Sequence, residues 1–135
     1  MNRSREYARV LLGKARDDQY VLARLVDDAD APPWTLGFHA QQAVEKAVKA
    51  VLSAGDVEYP KTHDIQRLLG LASSAGLPLP PQAAQLPLLT PFGAALRYDE
   101  VPEMEGGKPL DRAWALALVR STIAWAESFV TEKTG

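Results

Sequence analysis

The chain has no cysteine. Disulfides, thiolate catalysis and cysteine-based zinc sites are therefore excluded. No apolar run approaches the roughly 20 residues needed to span a bilayer, so no membrane partner is expected. The opening residues, Met1-Asn2-Arg3-Ser4-Arg5-Glu6, lack the apolar segment that a signal peptide would place after them. A cytoplasmic location is the expectation. Only two histidines are present, His39 and His63. Neither has an H-x-x-x-H or H-E-x-x-H setting, so no metal site is expected. No cofactor is expected either. Net charge is only −2. So weak a charge argues against wrapping duplex nucleic acid as the main task, although it leaves room for a local basic patch. Strand-period alternation and internal repeats are also missing.

What is present is a helical pattern nearly throughout. The 135 residues, 47% hydrophobic and 24% charged, suit one globular domain over 1–135 with a modest core. A first helix is expected over 4–30. Its inner stripe is Ala8, Leu11, Ala15, Asp18, Leu22 and Leu25, alternately three and four apart. Asp18 interrupts that stripe. Ala31-Pro32-Pro33 ends the helix, and Trp34 opens a second one that closes at Gly55. Thr62 is the expected N-cap of a third helix over 63–75, with Asp64 in its first turn. A fourth helix over 82–98 contains Pro87 and Pro91, each lacking a backbone donor, so a kink or split is expected. Residues 99–109 read as a polar loop. A last helix is expected over 110–132.

The second helix is the most informative stretch. At about 100° per residue, Leu36, Ala40, Ala43, Val44, Ala47, Val48 and Val51 share one face. His39, Gln42, Lys46 and Ser53 line the opposite face, flanked by Glu45 and Lys49. The alanines let a neighbouring helix come close, which suits a central position. The last helix is apolar on two sides. One stripe is Leu110, Trp114, Leu118, Trp125 and Phe129; the other is Leu116, Val119, Ile123 and Val130. Such a helix is normally buried. Either it is central in a monomer, or one stripe meets a second copy; its terminal position favours a homodimer.

Three ordered segments carry a family resemblance. Phe38-His39-Ala40-Gln41-Gln42-Ala43-Val44-Glu45-Lys46-Ala47-Val48-Lys49 resembles the second-helix signature of HEPN domains. Lys61-Thr62-His63-Asp64-Ile65 is similar to the family's Pro-x-Thr-His-Asp-Leu element opening helix three. Ala95-Leu96-Arg97-Tyr98-Asp99 is similar to its Ala-Arg-Tyr-Pro-Asp element, without the proline. Asp18 fits the family's acidic position in the first helix. The resemblance implies an all-α, up-and-down, HEPN-like bundle of about five helices that often dimerises. HEPN domains are frequently encoded beside, or fused to, minimal nucleotidyltransferases in toxin–antitoxin-like pairs. Some members bind nucleotides, and many others are ribonucleases.

The ribonuclease branch carries an Arg-x4-6-His motif. Before His39 the required positions hold Pro32, Pro33 and Trp34; before His63 they hold Asp56, Val57 and Glu58. After Arg97 they hold Pro102, Glu103 and Met104. The motif is absent, so no catalytic residue is assigned and binding is favoured over cutting. Acid–base cleavage by His39 or His63 in another arrangement would make the chain a divergent, metal-independent ribonuclease toxin.

The favoured expectation is a nucleotide- or RNA-binding module working with a minimal nucleotidyltransferase partner in a toxin–antitoxin-like or stress-response system. The alternative is a structural homodimer without ligand. Candidate phosphate or nucleotide contacts are Lys46, Lys49, Gln42, His39, Arg97 and Tyr98. Lysine binds phosphate as a point charge, arginine grips it bidentately, and Gln, His or Tyr can read or stack a base. Glu45 and Lys49 also form an ordinary i,i+4 pair, and a lone helical His is commonly structural. Asp18 needs a partner if buried, Lys46 or Arg97. With Glu45, His63 and Asp64 it makes up the supporting set.

Overall fold

The computed structural model describes residues 3–94 and 109–134. Four α-helices and one 3₁₀ helix occur among them: α1 Arg3–Leu25, α2 Pro33–Ala54, α3 Ile65–Ser74, the 3₁₀ helix Leu86–Ala94, and α4 Arg112–Thr134. No strand occurs among the described residues. The expected all-α helical bundle is therefore what the chain forms. No helix among these residues is long and apolar enough to cross a membrane.

Helix α2 sits at the centre. It packs most extensively on α1, then on α4, and also meets α3 and the 3₁₀ helix. Ala40, Ala43, Ala47 and Ala50 are fully buried, and their small side chains let these neighbours approach. The expected α1 stripe is buried at Ala8, Leu11, Ala15, Asp18 and Leu22. Helix α1 stops at Leu25, short of the expected residue 30. Asp27, Asp28 and Asp30 would have continued it against the negative end of the helix dipole. Instead Asp28 Oδ1 accepts from Asp30 N at 2.9 Å, a local turn that competes with helix. Arg112 at the start of α4 fastens this turn, donating to Asp28 O at 2.6 Å and Ala31 O at 2.7 Å.

Helix ends depart from expectation in instructive ways. α2 starts at Pro33 rather than Trp34, since proline has no N–H to lose in the first turn. At its C-terminus Gly55 is the C-cap, but Asp56 takes the left-handed conformation, with φ 57°. Asp56 N donates to Ser53 O and Val57 N to Leu52 O, closing a Schellman turn. Thr62 is not the N-cap of α3. Asp64 is, accepting from Arg67 N at 3.3 Å, while Thr62 Oγ1 accepts from Asp64 N one step earlier.

The expected fourth helix is not α-helical in its described part. Residues 81–85 form turns, and the 3₁₀ helix follows. Pro87 and Pro91 remove donors that an α-helix would use, and the tighter 3₁₀ turn tolerates this over a short run. It is seated firmly: a Cβ built on Gly37 of α2 would fall 2.6 Å from Cγ of the buried Phe92. The end of the expected helix, with Arg97 and Tyr98, and residues 99–108 of the expected loop lie outside the described residues.

Helix α4 buries its second apolar stripe and part of its first within the one chain. Leu110, Leu118 and Phe129 are buried on one side, and Leu116, Val119, Ile123 and Val130 on the other. Trp114 and Trp125 are half-buried against the same core.

Candidate functional site

Two carboxylates that the core encloses organise the polar residues. Asp18 is 8% exposed and Glu45 4%. Ionised carboxylates so placed need charged or hydrogen-bonding partners. Each finds one lysine and one histidine. Asp18 Oδ2 accepts from Lys46 Nζ at 2.6 Å, and Oδ1 meets His39 Nδ1 at 2.9 Å. Glu45 Oε2 accepts from Lys49 Nζ at 2.9 Å, and Oε1 meets His63 Nδ1 at 2.9 Å. An ionised carboxylate only accepts, so Nδ1 carries the proton in both rings and Nε2 is the nitrogen left for other partners.

Gln41 completes the second cluster. It is fully buried and donates to Glu45 Oε1 at 2.7 Å. Gln42 donates to Gln41 Oε1 at 2.8 Å, so the chain of bonds runs from the α2 surface to the enclosed carboxylate. Burial pushes the Glu45 carboxyl up, but hydrogen bonds from Lys49, Gln41 and His63 outweigh it and hold the group below its ordinary value. The helical projection puts Ser53 on the polar face of α2 and Glu45 on its flank. Both are buried, because the α2–α3 connection folds back over that side. Tyr59 on this connection places its hydroxyl 3.3 Å from Ser53 Oγ, and its ring lies under Lys49 Nζ at 5.8 Å. Burial raises the Tyr59 phenol above its ordinary value.

Beside the Glu45 cluster lies a cleft of about 440 Å³. Three elements wall it. Tyr7, Leu11 and Lys14 come from α1, at the i, i+4, i+7 spacing of one helix face. Glu45, Lys46 and Lys49 come from α2, and Tyr59 to His63 form the third wall. The cleft thus gathers four lysines and two tyrosines around one carboxylate.

Of the residues singled out in the sequence, Lys46, Lys49, Glu45 and His63 line this cleft. Asp18 and His39 stand behind Lys46 through their hydrogen bonds, and Gln42 behind Glu45 through Gln41. Asp64 is occupied in capping α3. Arg97 and Tyr98 lie outside the described residues; among the described residues Lys46 supplies the cation expected for Asp18. The sequence patterns single out none of Tyr7, Lys14 and Tyr59, and carry Gln41 and Lys61 only as members of motifs without a site role. Gln41 was legible as a polar residue one step along α2 from Ala40, on the shoulder of the apolar stripe. Among the described residues no group of three or more acidic or histidine side chains could hold a metal.

The family model for the HEPN domain matches residues 8–130. The chain belongs to the HEPN domain family. The match spans α1 to α4 and includes every residue of the two carboxylate clusters. No curated protein and no solved structure matches the chain. Membership ties this HEPN domain, in general terms, to nucleotide- or RNA-related function.

Proposed function

We propose that this HEPN domain binds a nucleotide or an RNA segment in the cleft between α1, α2 and residues 59–63. The supporting observation is the cleft's lining of four lysines and two tyrosines. Lysines attract phosphate, and tyrosine offers a face for a base. The size falls in the range of small-ligand pockets, roughly 300–1,000 Å³. Lys46 and Lys49, with His39 and Gln42 behind them, give the α2 wall a fixed arrangement of charge and hydrogen-bond donors.

The module would act in the cytoplasm with a minimal nucleotidyltransferase in a toxin–antitoxin-like or stress-response pair, the setting in which HEPN domains often occur. A homodimer is part of the same proposal, and the half-buried Trp125 on the outer side of α4 is one surface a second copy could meet. Thermal shift against a panel of nucleotides and short RNAs tests the binding step, because a ligand of the native state raises the melting temperature. Stabilisation by at least one of them is expected; none from any would end the binding proposal. Co-expression with a minimal nucleotidyltransferase and light scattering of the isolated chain test the two partner statements.

One observation favours a second reading, cleavage. His63 is half-exposed at the cleft, and Glu45 holds its Nδ1. That arrangement suits a proton-transfer group. Incubation with total RNA decides it: loss of RNA that His63→Ala abolishes would support cleavage, and intact RNA would remove it.

A further inference from the structure

The four cleft lysines are not equivalent. Lys46 and Lys49 are already committed to Asp18 and Glu45, at 2.6 Å and 2.9 Å. Drawing either onto a ligand phosphate would strip a cation from an enclosed carboxylate. Lys14 and Lys61 are exposed, and neither takes part in any of the ion pairs among the described residues. They approach the cleft from different elements, α1 and the α2–α3 connection. The two tyrosines divide the same way. Tyr59 is fastened by Ser53 and covered by Lys49. Tyr7 is 53% exposed, on the cleft face of α1 two turns before Lys14.

We infer that Lys14 and Lys61 hold the phosphates and Tyr7 stacks the base of a single nucleotide carrying at least two phosphates. This rests on the binding function proposed above and names the groups and ligand class for that site. Tyr7 and Lys14 are seven positions apart on α1, about 10 Å of backbone at 1.5 Å per residue. That spacing asks for a ligand with an aromatic ring at one end and its charge at the other. Two unpaired lysines match a diphosphate better than a lone phosphate. A nucleic-acid strand would ask for a longer cationic track, and a net charge of −2 with a sequence pI near 5.7 does not favour one. Lys46 and Lys49 are positioning residues in this scheme. Lys49 neutralises Glu45 in the cleft wall and Lys46 neutralises Asp18 behind it, so that the phosphates meet no bare negative charge.

Titration calorimetry on the full chain with ADP, GDP, AMP, adenosine and a short single-stranded RNA tests the assignment. A diphosphate should bind more tightly than AMP, and AMP more tightly than adenosine. Lys14→Ala and Lys61→Ala should each weaken diphosphate binding roughly tenfold or more, as loss of a charge-assisted contact does. Both side chains are exposed, so the melting temperature of each free variant should stay at the wild-type value. Tyr7→Ala should weaken binding by about tenfold, whereas Tyr7→Phe keeps the stacking face and should bind as wild type. Diphosphate binding that survives both lysine changes would overturn this assignment and leave the binding function standing. RNA binding more tightly than either diphosphate, with a steep salt dependence, would overturn the ligand class alone. No binding of any probe would overturn the site and the proposed function together.

Discussion

Removing the Glu45 carboxylate is the sharpest test of what holds the polar centre together. In Glu45→Ala, Lys49 Nζ, Gln41 Nε2 and His63 Nδ1 lose their common acceptor. Deleting one member of an enclosed ion pair costs about 3–5 kcal/mol, chiefly through the charge left behind. Here the lower end applies. The Lys49 side chain retains 14% exposure and that of His63 55%, so water can serve both in part. Only Gln41 is fully enclosed. The expected loss is therefore about 3 kcal/mol, near 10 °C in melting temperature for a domain of this size. Glu45→Gln keeps the shape and an acceptor oxygen but not the charge, and should lose about 1–2 kcal/mol. Urea unfolding followed by circular dichroism at neutral pH measures both. Glu58→Ala, an exposed change of the same charge, is the control and should stay within about 0.5 kcal/mol of wild type. A loss below about 1 kcal/mol in Glu45→Ala would refute the reasoning, because the enclosed lysine would then have found another partner at little cost.

Acid should act through the same group. The folded-state value of Glu45 lies below its ordinary value of 4.5, so its stabilisation is complete above that pH and drains as pH falls through the lower folded value. Urea midpoints should accordingly drop more steeply below pH 4.5 in wild type than in Glu45→Gln; equal slopes would contradict this. Gly37→Ala forces a Cβ against the Phe92 ring, 2.6 Å from Cγ, and should cost about 1–3 kcal/mol by overpacking. In a Phe92→Leu background the same change should cost less, and an equal cost in both backgrounds would show that the ring is not the obstacle. Asp64→Ala removes the α3 N-cap and should lose about 1 kcal/mol, whereas Thr62→Ala should lose less. The reverse order in thermal unfolding would return the cap to Thr62.

Much of the helical organisation was legible because burial follows a 3.6-residue period that the chain displays openly. The stripe from Ala8 to Leu22 on α1 and the alanine-rich face of α2 lie where that period puts them. Helix ends were harder, since they depend on which of several adjacent polar groups reaches a given N–H. Asp64 rather than Thr62, and Asp56 rather than Gly55 in the left-handed position, are cases of that competition. The stretch around Pro87 and Pro91 has helical hydrophobicity without helical donors, and its described part settled as turns and a 3₁₀ helix. The double-sided α4 pattern fitted either a monomer core or a shared interface. Tertiary packing buries the Leu116 to Val130 stripe and leaves Trp114 and Trp125 of the other half-buried.

The candidate site divides in the same way. Ordered motifs on α1, α2 and the start of α3 marked Asp18, His39, Glu45, Lys46 and His63, and they pointed to the HEPN family to which the chain belongs. Their spacing along single helices could not say which carboxylate takes which cation. That depends on three elements meeting: α1 brings Asp18 to Lys46, and the α2–α3 connection brings His63 to Glu45. The same meeting brings Lys61 of the α2–α3 connection beside Tyr7 and Lys14, which share one face of α1; among the described residues no carboxylate pairs with either lysine. Sequence by itself determined the helices, the family and the polar inventory, because these are properties of period and local motif. Only the tertiary structure decided which charges pair with one another, because pairing is set by distance in space.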